Sequence, residues 1–171
     1  YIVEGQADVI TLFSHGLESV VALSGTSFTD EHIELIKDFD MVISCMDADQ
    51  GGSKATKKLY NKYMAALNKP LYLVPLKDGY DPDQYVNDYN LEKFLELPAL
   101  LPEEWEIHTE QILKGKILVD YWMPRLLTLN SLYHTRALKI LANKSKIPEK
   151  DLRTRLNLIL IDEINRAPAK V

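Results

Sequence analysis

The chain has 171 residues, 46% hydrophobic and 26% charged, with a formal net charge of −5. This is an ordinary folded composition with apolar material for one core or two small ones, which excludes disordered and fibrous classes. No apolar run approaches the roughly 20 residues of a membrane helix, and a single Cys45 excludes a disulfide framework or a cysteine zinc site within the chain and fits a reducing, cytoplasmic compartment. The start, YIVEGQADV, lacks a positively charged leader region and an initiating Met and begins inside a strand, so the chain is expected to be a piece of a longer protein.

Tyr1-Ile2-Val3 is a short β-rich run ending at Glu4-Gly5, and Gln6 to His15 carries Ala7, Ile10, Leu12 and Phe13 near helical spacing before a helix stop at Gly16. A second β-branched run, Ser19 to Leu23, leads into Ser24-Gly25-Thr26-Ser27, where glycine lets backbone N–H groups approach a ligand or a neighbouring strand. Thr29 reads as an N-cap with Asp30 and Glu31 in the first turn, and Ile33, Leu35, Ile36 and Phe39 as the buried face. Met41 to Met46 has the length and polar boundaries of a buried parallel strand. It stops at Asp47-Ala48-Asp49. Gly51-Gly52 then leads into a helix from Ser53, with Ala55, Leu59, Tyr63 and Ala66 inward and Lys54, Lys57, Lys58 and Lys62 on a solvated face. Lys54 lies nearest the acidic turn and is the lysine placed to meet a phosphate.

Pro70 to Pro75 reads as a fourth strand, its exit Lys77 to Val86 holds Asp81 and Asp83, and Asn90 caps a short helix from Leu91 to Leu97. The order β-α-β-α-β-α-β with short links predicts an α/β domain over residues 1–98, a four-stranded parallel sheet flanked by helices. From Glu103 only helical periodicity remains: a helix through about Trp122, a kink or break before Pro124, a helix to about Ala142 and another from Pro148 to Asn165. Residues 99–171 are therefore expected to form an all-helical module, with Trp105 and Trp122 as packing residues. From Arg136 onward there are 9 Lys and Arg against 4 Asp and Glu, leaving 11 against 21 for residues 1–135, so the front carries −10 and the tail +5. A surface that holds nucleic acid unaided is normally basic. Metal ions and some other part of the protein must offset the repulsion of this front if it does so.

Three strand exits carry acids: Glu4 with Asp8 a helical turn on, Asp47 with Asp49, and Asp81 with Asp83. Each pair has a plainer reading as turn or helix-start residues. In a parallel sheet, however, all exits lie along one edge, where ligands bind. So many carboxylates on one rim repel unless cations sit among them, and all-oxygen ligands suit Mg²⁺ or Mn²⁺ rather than Zn²⁺. Such a cluster is what two-metal phosphoryl chemistry requires. His15, His32, His108 and His134 form no zinc-pair spacing.

The succession VEGQAD, ALSGTSFTDEH, MVISCMDADQGGSKA and LKDGYDPDQYV resembles the Toprim domain, and the last element resembles the DnaG-type bacterial and phage primases in particular. The likeness covers about residues 1–90. It implies that Glu4, Asp47 and Asp49 are catalytic and bind divalent metal, with Asp81 and Asp83 as the extra acidic pair of primases. Gly5 and Asp8 match the supporting positions of the glutamate motif, and Gly25-Thr26 the turn after the second strand, with Lys54 near the nucleotide. It further implies synthesis of RNA primers from ribonucleoside triphosphates on a single-stranded DNA template, and a replicative helicase partner reached through regions outside this chain. Residues 99–171 are similar to the carboxyl part of the primase polymerase core in being helical and in following the Toprim segment. One departure is Gln50-Gly51-Gly52, where the family more often has a basic residue and then Ala-Gly.

Two other readings stand beside priming. A Toprim nuclease would use the same carboxylates with water as the nucleophile, and the Asp81-Pro82-Asp83 stretch weighs toward primase. A non-catalytic module would bind a nucleotide or replication partner, with the basic tail from Arg136 to Lys170 as a contact surface or merely a solvated face. A topoisomerase lacks an indicated tyrosine, and a DxD phosphatase would place that motif on its first strand.

Overall fold

The computed structural model describes residues 1–25, 27–67, 69–129 and 131–166, with the side chains of 131 and 132 excluded. Thr26, expected in the nucleotide-binding turn, and Lys170 of the basic tail lie outside the described residues. Two compact units divide the chain, Tyr1–Trp105 and Glu106–Val171. The division expected after residue 98 thus lies further on. Residues 99–105 join the first unit because Leu100 pairs antiparallel with Leu73, through hydrogen bonds of 2.7 and 2.9 Å.

The first unit runs β1 (Ile2–Val3), α1 (Gln6–Ser14), β2 (Val21–Ala22), α2 (Asp30–Ile36), β3 (Val42–Ser44), α3 (Gln50–Ala66), β4 (Leu71–Leu73), α4 (Pro82–Tyr89), α5 (Leu91–Leu95) and α6 (Pro102–Thr109), whose last residues belong to the second unit. The four strands form one parallel sheet in the order β2-β1-β3-β4. The parallel four-stranded expectation holds, although each strand is only two or three residues long. A core of Val3, Leu12, Cys45, Val74, Val86 and Phe94 ties β1, α1, α4 and α5 to the segments leaving β3 and β4. Ala55, Leu59 and Tyr63 of α3 are also buried, as expected, whereas Ala66 at its end is exposed.

Other details also differ from the sequence reading. On α1 the inward residues are Asp8 and Leu12, while Ile10 and Phe13 face solvent. On α2, Ile33 and Ile36 are buried but Leu35 is exposed, as is Phe39 just beyond it. The second half of the exit read from Lys77 to Val86 opens a helix, α4, because Asp81 caps it by accepting from Gln84 N–H at 2.6 Å and Pro82 occupies the first turn, where its missing N–H costs nothing.

The second unit is helical throughout its described residues: the end of α6, then α7 (Gly115–Leu126), α8 (Ser131–Ser145) and α9 (Glu149–Arg166). Leu118, Trp122 and Met123 of α7, Leu138 and Leu141 of α8, and Leu152 of α9 lie in one buried cluster. Trp105 and Trp122 are each about 5% exposed or less, as packing residues should be. The single helix expected from Glu103 to Trp122 is instead α6 and α7. Glu110 Oε1 accepts from the Ile112 and Leu113 N–H groups at 2.8 and 3.2 Å, and Gly115 takes φ +52° at the restart. Of the kink or break expected before Pro124, no break is seen, since α7 runs on to Leu126. The proline sits inside the last turn of α7, where Arg125 donates to the Tyr121 carbonyl at 2.5 Å and the chain tightens into three-residue hydrogen bonds at Leu127 and Thr128. Among the described residues no helix is long and apolar enough to cross a membrane.

Candidate metal centre

Strand order decides which exits meet. The chain visits β2 between β1 and β3, yet β1 and β3 are neighbours, so the connections leave that junction in opposite directions. This is the switch point at which open α/β sheets bind ligands beyond the strand ends. Ile2 pairs with Ser44, and Cys45 N–H donates to the Ile2 carbonyl at 2.9 Å, so Glu4 and Asp47 emerge together just past their strands.

The turn after β3 is clamped to the loop after β4. Ala48 N–H donates to the Tyr80 carbonyl at 2.8 Å, and Gly79 N–H donates to the Ala48 carbonyl at 3.0 Å. This brings Asp81 toward Asp47 and Asp49. Asp49 is the N-cap of α3, its Oδ1 accepting from Gly52 N–H at 2.7 Å. That cap starts the helix at Gln50 rather than at Ser53.

Asp8 is buried on α1, where its Oδ2 accepts from Gly5 N–H at 2.9 Å and its Oδ1 from Asp83 N–H at 3.2 Å. Asp83 Oδ1 in turn accepts from the Thr11 hydroxyl, and from Asn87 Nδ2 at 2.9 Å. Asp8 and Asp83 therefore fasten α4 to α1, and their oxygens are largely spent on that joint. Glu4 and Asp47 differ. Glu4 Oε2 and Asp47 Oδ1 are buried without a hydrogen-bond partner, which is costly for a carboxylate unless something cationic approaches.

The electrostatics follow from this crowding. Burial pushes Asp47 up to about 6, reinforced by the charges of Glu4, Asp8, Asp81 and Asp49. Burial likewise raises Glu4, with Asp49 and Asp8 adding to it. Asp8 is raised by burial, against the two backbone hydrogen bonds that favour its charge and with help from Asp81 and Asp83. Burial, then Asp8 and Asp47, also push the Cys45 thiol far up, so it is no nucleophile. Among the described residues no three His, Cys, Asp or Glu side chains stand close enough to hold a metal ion as they are. Two stranded buried oxygens in an all-oxygen donor set fit a hard divalent cation, and Asp49 and Asp81 each keep a second oxygen outside their capping hydrogen bonds.

Of the other expected site residues, Gly5 is the N-cap of α1 and Gly25 lies in an exposed turn whose preceding Ser24 N–H donates to the Glu4 carbonyl at 3.2 Å. Lys54 is exposed on the second turn of α3. Sequence reasoning missed Thr11, Ala48 and Gly52. A Cβ on Gly52 would lie 2.1 Å from the Asp47 carbonyl oxygen, so the Gly-Gly pair after the acids was the readable signal.

The crowding predicts how metal-free stability depends on pH. Folded Asp47 holds its proton more tightly than the unfolded chain does, so its contribution is present at low pH and is lost as pH rises through the window from its ordinary value to about 6. Glu4 and Asp8 act in the same direction. With chelator present, melting of the wild type relative to Asp47→Asn should fall between about pH 4 and about pH 7. A flat difference would contradict the crowded, ion-free carboxylates.

A parallel α/β domain that gathers carboxylates at its switch point is the class these features define. The chain belongs to the Toprim-like family, whose profile matches residues 1–86. It is 38% identical over 96 residues to the DNA primase of Buchnera aphidicola subsp. Acyrthosiphon pisum (strain APS), a stretch covering 54% of this chain and 17% of that primase. Among solved structures it is similar to the Aquifex aeolicus primase, in its zinc-binding and RNA polymerase domains, with a TM-score of 0.55 and 26% identity over 88% of this chain and 38% of that one. The DnaG primase catalytic domain bound to single-stranded DNA matches with a TM-score of 0.54 and 26% identity, over 88% of this chain and 52% of that one. The chain thus spans about a sixth of the length of the primases it matches in sequence.

Proposed function

We propose that this chain is the metal-binding part of a DNA primase, acting in RNA primer synthesis on single-stranded DNA in the cytoplasm. The observation that carries the reading is the pair of stranded buried oxygens, Glu4 Oε2 and Asp47 Oδ1, at the switch point of a Toprim-like sheet. In this reading Glu4, Asp47 and Asp49 bind Mg²⁺ or Mn²⁺, with Asp81 beside them. Asp83 offers at most the oxygen that Thr11 and Asn87 leave free, and Asp8 supports it. The bound ion supplies the positive charge that neutralises phosphate oxygens and lowers the pKa of an attacking hydroxyl.

The residues of the chain hold the ribonucleoside triphosphate so that the 3′-hydroxyl of one nucleotide attacks the α-phosphorus of the next. A phosphodiester forms and pyrophosphate leaves. Lys54, Gly25 and Thr26 are the residues that meet the phosphates in this reading. Residues 99–171 are the carboxyl part of the polymerase core, and contacts to a helicase lie elsewhere in the protein. An acidic front that must bring a polyanion close needs the ion for that purpose.

The test is primer synthesis by the protein carrying this chain, with Glu4→Gln compared with wild type. A loss of about 10²-fold or more is expected, the scale of removing one preorganised electrostatic contact. Synthesis within about threefold of wild type would sink the assignment of Glu4. Cleavage of the template without primer formation would turn the reading to a nuclease.

A further inference from the structure

We propose that Tyr80 is a positioning residue for the metal centre, a latch whose backbone holds the Asp47–Asp49 turn while its side chain holds α4. The inference rests on the metal-centre reading above and adds to it what sets the spacing of the acids.

Residues 77–80 form a tight turn closed by Tyr80 N–H to the Lys77 carbonyl at 3.0 Å, with Gly79 at φ +81° in the position that demands glycine. From this turn the Tyr80 carbonyl accepts from Ala48 N–H at 2.8 Å, and the Gly79 N–H donates to the Ala48 carbonyl at 3.0 Å. Ala48 is the residue between Asp47 and Asp49. Both of its backbone polar groups are therefore held by the turn, which sets the direction in which the two neighbouring carboxylates leave the chain.

The turn is itself anchored through the Tyr80 ring. Its hydroxyl donates to Asp88 Oδ2 at 2.9 Å, and the Lys77 ammonium lies 5.2 Å from its ring centroid. Lys77 Nζ also donates to the Tyr89 hydroxyl at 3.5 Å, and the Tyr89 ring stands 5.8 Å from Tyr80 and 4.8 Å from Tyr85. Tyr85, Asp88 and Tyr89 share one face of α4 by their three- and four-residue spacing. The helix that begins with the Asp81 cap thus grips the turn that holds Asp47 and Asp49, and one residue carries both grips.

A latch of this kind sets geometry rather than charge, so it should show in ion discrimination. Mg²⁺ demands near-ideal octahedral oxygens at short distance, whereas Ca²⁺ tolerates an irregular and larger set. Titration calorimetry of the chain with Mg²⁺ and with Ca²⁺ tests this in Tyr80→Ala, Tyr80→Phe, Asp88→Asn and Asp47→Asn. Tyr80→Ala should lower the ratio of Mg²⁺ to Ca²⁺ affinity by about tenfold, the scale for residues that orient metal ligands. Tyr80→Phe, which keeps the ring and the fold, should lower it by a smaller factor, and Asp88→Asn, which keeps an acceptor but loses charge, should leave the ratio near wild type. An unchanged ratio in both Tyr80 variants, or an equal fall in both affinities, overturns the latch. If Asp47→Asn weakens both ions while Tyr80 variants keep the ratio, only the latch fails. If Asp47→Asn changes neither affinity, the metal-centre reading fails first.

Discussion

Asp47→Asn is expected to weaken Mn²⁺ binding by about 100-fold or more and, with no metal present, to raise the melting temperature at neutral pH. The two effects have opposite signs because one side chain serves two states. With an ion bound, Asp47 supplies a buried anionic oxygen that an amide replaces only weakly. Without one, that oxygen has no hydrogen-bond partner and lies within reach of the charges of Glu4, Asp8, Asp81 and Asp49. A carboxyl pushed up to about 6 means that its ionised form is disfavoured in the fold. Discounted for the half-exposed position of the group, the relief amounts to about 1–2 kcal/mol. Mn²⁺ titration followed by the free-ion resonance measures the first effect, and thermal melts in chelator the second. A variant that binds Mn²⁺ normally, or that melts lower at neutral pH without metal, would show that Asp47 plays neither part.

Gly52→Ala should cost the fold about 3 kcal/mol or more, although Gly-to-Ala exchanges inside helices usually stabilise. Gly52 lies in the first turn of α3, and its added Cβ would fall 2.1 Å from the Asp47 carbonyl oxygen, 2.8 Å from the carbonyl carbon and 2.9 Å from the Asp47 nitrogen. All three are backbone atoms. Relief therefore requires moving either the helix start or the turn that carries both acids, and Mn²⁺ affinity should fall along with stability. Gly51 provides the contrast. A Cβ there meets no backbone, only the Asp49 carboxylate, with Oδ1 at 3.1 Å, so relief costs at most part of the Asp49 cap and Gly51→Ala should stay within about 1 kcal/mol of wild type. Urea unfolding of the two variants distinguishes a steric cradle under the Asp47 turn from a general tolerance of this Gly-Gly pair; equal stabilities would remove the cradle.

Some of the architecture was legible because the signals were local. The Met41 to Met46 run, the acids that end it and the cap at Asn90 announce themselves within a few residues, and the burial of Leu59 and Tyr63 follows from their spacing on α3. The α4 helix was as local, since Asp81-Pro82 is a cap followed by a first-turn proline, but the pair of acids drew the reading toward ligands. The break between α6 and α7 was less legible. It depends on Glu110 turning back to two N–H groups, which competes with continued helix only in the folded chain. On α1 the apolar spacing that includes Ile10 and Phe13 does not by itself mark the buried face, because Asp8 is drawn inward by hydrogen bonds from Gly5 and the distant Asp83.

By itself the sequence determined that four short strands alternate with helices, that three of their exits carry acids, and that a helical segment follows, since each rests on periodicity and short-range turn chemistry. Only the tertiary structure decided that β1 lies beside β3, that Glu4 and Asp47 are therefore the acids with stranded oxygens, and that Asp8 and Asp83 are spent joining α1 to α4. The reason is physical: strand order and the pairing of carboxylates with particular N–H groups depend on contacts between residues dozens of positions apart, and no local pattern encodes which of several equivalent acids will be left without a hydrogen bond.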